Sequence, residues 1–82
     1  ELLNSQIKVF PNPVKENLQV KVPANFKLKS LHLLDLAGRM VRELNPSGAS
    51  HNLSGLTSGV YYIEAVSTSG AVFRQKVVKE TE

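Results

Sequence analysis

The chain has 82 residues, 41% hydrophobic and 21% charged, with ten lysines and arginines against seven acidic residues and a formal charge of +3. That supplies one small core and not two, and the absence of cysteine excludes disulfides, thiolate zinc sites and thiol nucleophiles together while leaving the compartment open. No apolar run approaches the roughly 20 residues that span a bilayer, and the bases are dispersed rather than massed on one element, so neither a transmembrane segment nor a nucleic-acid partner is expected.

The start, Glu1-Leu2-Leu3, lacks the basic opening and apolar stretch of a signal peptide and fits a piece of a longer protein. Ile7-Lys8-Val9-Phe10 alternates weakly and stops at Pro11-Asn12-Pro13, where two prolines cannot donate to a β ladder and the chain must leave the sheet or turn a corner. Leu18, Val20 and Val22 then alternate with Gln19 and Lys21, giving one dry and one wet face, until Pro23-Ala24-Asn25. The stretch from Leu28 to Asp35 places Leu31 and Leu33 on one face of a strand, although leucine also suits a short helix. The next residues favour the strand. Asp35-Leu36-Ala37-Gly38 is a short connection ending in glycine, alternation resumes over Arg39-Met40-Val41-Arg42-Glu43, and the Asp35 carboxylate can accept backbone N–H bonds across the hairpin turn.

Asn45-Pro46-Ser47-Gly48 is a further turn cluster, and Ser50-His51-Asn52-Leu53 a short polar strand or edge. From Val60 to Val66 runs the longest β-favouring stretch, with Tyr61, Ile63 and Ala65 on the uncharged, core-facing side and Tyr61 as its anchor. Gly55 and Gly59 flank Leu56 so closely that at least one is expected at positive φ. Thr68-Ser69-Gly70 closes a last hairpin into a final strand from Ala71 to Lys79, with Phe73 and Val77 inward and Arg74 and Lys76 outward. Seven short strands with turn signals between them, and neither a convincing helix nor a repeat, predict an all-β, seven-stranded antiparallel sandwich.

Chemistry is sparse. Asp35 is the only aspartate, and His32, three positions away on a strand, points to the opposite face; His51 has no obvious partner, so each histidine reads as surface or edge rather than as part of a triad. No Cys/His spacing or acidic loop suggests a metal, and Gly38, Gly55 and Gly59 lie between strands rather than between a strand and a helix, so no phosphate loop or cofactor is expected. Asn52-Leu53-Ser54 matches a glycosylation sequon, a weak pattern. Of the aromatics, Tyr62 and Phe26 read as available, and Phe10, Tyr61 and Phe73 as core.

Four separated motifs carry a specific resemblance: Pro11-Asn12-Pro13 after a short strand, Asp35-Leu36-Ala37-Gly38-Arg39 at a hairpin, Leu56-Thr57-Ser58-Gly59-Val60-Tyr61 opening a strand, and Lys76-Val77-Val78-Lys79 in the final strand. In this order and spacing they resemble the type A C-terminal sorting domain of the type IX (Por) secretion system, over about Ile7 to Lys79. The resemblance implies an Ig-like sandwich over residues 7–79, with residues 1–6 the remnant of a linker from an upstream cargo region and residues 80–82 an acidic tail. It implies an address and not an enzyme: the cargo passes through the periplasm, translocon components read the folded domain, the cargo reaches the cell surface or medium, and a sortase commonly removes the domain.

By position, Gly38, Gly59 and Tyr61 carry over as fold-setting residues, and Arg39, Lys76 and Lys79, with Val77 and Val78 between the lysines, as candidates to meet an acidic partner surface. A basic edge also blocks unwanted sheet pairing, and the sequence leaves both uses open. Glutamate at Lys76 and Lys79 separates them, since loss of export without loss of stability marks recognition. The alternative function is a fibronectin III-like or carbohydrate-binding module, because small sandwiches host many unrelated sites.

Overall fold

Apolar alternation with a period of two sorts the described residues, 7–23 and 26–81 of the computed structural model, into seven strands in two antiparallel sheets. Residues 1–6, expected to be a linker, and residue 82 of the expected acidic tail lie outside the described residues. One sheet has the order β1 (Lys8–Phe10), β2 (Asn17–Lys21), β5 (Ser50–Asn52); the other runs β4 (Met40–Leu44), β3 (Leu28–Leu34), β6 (Gly59–Ser67), β7 (Val72–Lys79). The expected all-β sandwich is therefore present. Its fourth strand pairs with β3, whereas in the constant-type immunoglobulin arrangement the fourth strand lies beside the fifth.

The core lies between the sheets. Leu18 and Val20 of β2 are packed in one cluster with Leu31 and Leu33 of β3, Ile63 and Ala65 of β6, and Phe73 and Val77 of β7. The strand reading of residues 28–34 holds against leucine's helical preference because β3 is paired on both sides, Leu31 facing Leu44 on β4 and Ala65 on β6. A register shift between Leu33 and Leu34 on the β4 side lets these consecutive leucines both be buried, which strict alternation forbids. Ile63, Ala65, Phe73 and Val77 face inward as expected.

Three expectations need correction here. Phe10 is 46% exposed, because β1 ends there and the chain turns off the sheet. Met40 and Val41, expected to alternate, are both exposed at the start of β4, where the strand lies at the sheet edge. His51, expected at the surface, is only 5% exposed: it points inward from β5 between exposed Ser50 and Asn52, opposite Leu18, and its Nε2 has no hydrogen-bond partner among the described residues.

Burial disfavours the charged imidazolium and holds the His51 pKa below its ordinary value, while a hydrogen bond to the Gly48 backbone works the other way. The unfolded chain thus takes up this proton first as the pH falls. The neutral-histidine contribution is complete above an unfolded-state pKa of about 6.5 and is lost as the pH drops below it towards the folded-state value. Thermal melts taken from about pH 7.5 down to about pH 5 should show Tm falling with acidity, and His51→Gln should flatten that slope. An unchanged slope in the variant would remove His51 as its source.

Candidate recognition site

The Pro11-Asn12-Pro13 corner carries the chain from the edge of one sheet to the edge of the other. Both the Phe10–Pro11 and Asn12–Pro13 peptide bonds are cis. Between the prolines, the Asn12 side-chain amide does what a strand backbone would do: Nδ2 donates to the Lys76 carbonyl at 2.9 Å, and Oδ1 accepts from the Val78 N–H at 3.0 Å. Two residues on, Val14 makes a parallel bridge opposite Lys79. Its N–H donates to the Val78 carbonyl and its carbonyl accepts from the Glu80 N–H, each at 2.8 Å. The outer edge of β7 is thereby satisfied from the Lys76 carbonyl to the Glu80 N–H.

On the other side of the same stretch, β7 pairs with the opening of β6, Gly59 facing Lys79 and Tyr61 facing Val77. Gly55 and Gly59 are both at positive φ, +88° and +151°, so the expectation for at least one is met twice. Tyr61 is on the core-facing side, but it is partly buried rather than the anchor; among the described residues Phe73, Leu18, Leu31, Leu33, Leu53 and Ile63 are the large residues sealed from solvent. The Tyr61 hydroxyl donates to the Thr57 carbonyl at 2.6 Å, tying the strand back to the preceding loop. This is the arrangement of a tyrosine corner, in which a tyrosine near the start of the sixth strand bonds backbone a few residues upstream. Leu56 of that loop packs against the core cluster.

The Asp35 turn is held as its sequence predicts. The Oδ1 atom accepts from the Ala37 and Arg39 N–H groups at 2.9 Å each, and Oδ2 from Arg39 Nε at 3.0 Å. The Arg39 N–H first, and then the Arg39 charge with the Ala37 N–H, hold the Asp35 pKa below the ordinary carboxylate value despite some opposing desolvation. Gly38, at φ +88°, lets the turn close where a Cβ would be strained. The result is a rigid tip that presents Leu36, 69% exposed, and leaves the Arg39 side chain 83% exposed.

All four motifs gather at one end of the sandwich. Leu34, just before the Asp35 turn, faces Tyr62; Tyr62 faces Lys76; Gly59 faces Lys79; and Asn12 joins Lys76 and Val78. Sequence reasoning singled out these stretches but missed the role of Asn12, whose partners lie 64 and 66 positions away. The only local signal is an asparagine held between two residues without N–H groups.

The residues expected to meet a partner differ in access. Lys76 is exposed and Val78 half-buried on the outer face, but Val77 is core and Lys79 is only 3% exposed. Lys79 shares the inward parity of Phe73 and Val77; its Nζ donates to the Glu80 carbonyl at 2.9 Å, and it lines a depression with Leu56, Thr57 and Ser58 of the corner loop. Its expected position on a solvated basic edge is corrected accordingly. Tyr62 and Phe26, expected to be available, are partly buried, and Phe26 packs on the core.

Among the described residues, no group of three His, Asp or Glu could hold a metal ion. On the outer sheet face Glu64 bridges His32 Nδ1 at 4.0 Å and Arg74 Nη2 at 2.7 Å, a cross-strand ladder of charges. No helix of the described residues is long and apolar enough to cross a membrane. What this end offers is geometry and charge: a rigid apolar tip, exposed bases and a strand edge half closed by the corner. No curated protein matches the chain. The family model for the secretion system C-terminal sorting domain matches residues 8–80, all but the two extremes of the sequence. The chain belongs to the C-terminal sorting domains of the type IX secretion system, which direct export of an attached protein to the cell surface or extracellular space.

Proposed function

We propose that residues 7–79 are a type A sorting domain whose motif-bearing end is read by components of the type IX translocon, with residues 1–6 a linker from the upstream cargo and residues 80–82 a tail. The cargo passes through the periplasm, crosses the outer membrane with the folded domain as its address, and is then freed by a sortase and coupled to the surface. The observation that carries this reading is the convergence of four motifs, far apart in the chain, on one end of the sandwich. There, exposed Arg39 and Lys76 are the side chains placed to meet an acidic surface, while Val77, Val78 and Lys79 hold the shape of the strand beneath them.

The test is a fusion of the chain to a periplasmic reporter in a host with a type IX system. Reporter at the cell surface or in the medium supports the reading; an intact, folded fusion retained in the periplasm overturns it. Loss of the domain from surface reporter, blocked in a sortase-deficient host, checks the processing step separately.

A further inference from the structure

We infer that the uncapped half of the β7 edge, Val72 to Lys76, is a strand-addition site for an extended, acidic segment of a partner protein. The inference rests on the sorting reading and specifies how the last strand is recognised. Backbone parity locates the site. The Ala71 carbonyl accepts from Ser67 on β6, whereas the Val78 N–H and the Lys76 and Val78 carbonyls point the other way, to Asn12 and Val14. In an antiparallel ladder these directions alternate, so the N–H groups of Arg74 and Lys76 and the carbonyls of Val72 and Arg74 also point away from β6. No strand of the described residues covers them, because β7 is the edge of its sheet. The corner thus closes the strand beyond Lys76 and leaves an open run of donors and acceptors of fixed length before it.

Charge selects the occupant. Lys76 is exposed, and Lys8 is exposed on β1, the edge of the other sheet on the flank that the corner joins to β7; neither has an ion pair among the described residues. Arg74 adds a third base, already paired with Glu64. A second copy of this edge would set like charges against one another, which is how edge strands resist self-pairing, whereas an acidic strand is attracted to it. Backbone bonds then supply affinity and the flanking charges select the segment.

Proline distinguishes the backbone from the side chain. Arg74→Pro removes an outward N–H while sparing the bonds to β6, and Arg74→Ala removes the same side chain but keeps the N–H. In the reporter assay, with both variants folded by circular dichroism, export should fall roughly tenfold or more with Arg74→Pro relative to Arg74→Ala. Equal export by the two overturns the edge site and leaves the sorting reading standing; failure of the unaltered chain to export anything overturns the sorting reading itself. Should Arg74→Pro fail to fold, hydrogen exchange on the unaltered chain decides. The Arg74 and Lys76 amides should exchange freely alone and become protected by a synthetic peptide alternating glutamate with valine, not by its lysine counterpart. Protection absent with the acidic peptide, already present in the free chain, or rising with the chain's own concentration overturns the proposal.

Discussion

Lys79→Glu is expected to destabilise the domain by about 3–5 kcal/mol, whereas Lys76→Glu should change stability by no more than about 0.5 kcal/mol. The two lysines end one four-residue motif and carry the same charge, but Lys79 is 3% exposed with its ammonium on the Glu80 carbonyl, and Lys76 is in water. A carboxylate at position 79 cannot donate that bond and sets a negative charge against the carbonyl oxygen at a position largely withdrawn from solvent. A domain of this size is held by roughly 4–12 kcal/mol in total, so the loss is a large share of it. Paired denaturant melts and reporter export separate the cases: Lys76→Glu should lose export while keeping its unfolding midpoint, and Lys79→Glu should lose both. A Lys79→Glu variant as stable as the unaltered chain would mean that the side chain is not held inside.

Phe73→Ala should cost about 3–5 kcal/mol, more than either Tyr61→Ala or Tyr61→Phe. Phe73 is the largest residue sealed in the core, 2% exposed, and faces Ala65 across the sheet, a neighbour too small to fill the space it leaves. Tyr61 works differently. Tyr61→Phe removes only the bond to the Thr57 carbonyl and should cost about 1 kcal/mol, while Tyr61→Ala also loses the packing of a partly buried ring. Denaturant midpoints should therefore rank Tyr61→Phe, Tyr61→Ala and Phe73→Ala in order of increasing damage. A larger loss for Tyr61→Ala than for Phe73→Ala would make the corner, not the inter-sheet core, the main support of β6.

Alternation made the strands and most of the core legible in the sequence, because a residue's face depends only on its parity: Ile63, Ala65, Phe73 and Val77 are where parity puts them. The same parity extends to Lys79, and only its charge suggested that it faces water. The Asp35 turn was legible for a related reason, since its carboxylate bonds reach no further than Arg39. The corner was not. Asn12 reads locally as a turn residue, and nothing near it indicates β7 as its partner. His51 was obscured by the opposite effect, a polar residue in a polar stretch whose parity with buried Leu53 was a better guide than its neighbours. Residues whose contacts are local or periodic can be placed from sequence; those joined across the two sheets need the fold.

The clasp between Asn12 and β7 also sets an order of events during synthesis. The corner emerges from the ribosome early in the domain, but the groups that complete it are made 64 and 66 residues later. Until then neither of the two side-chain bonds can form, and Asn12 does not join the first sheet edge to the second. A nascent or truncated chain that stops short of Val78 therefore lacks the donor for the Asn12 side-chain oxygen, and on the reading proposed above the motif-bearing end is complete only once β7 has been made.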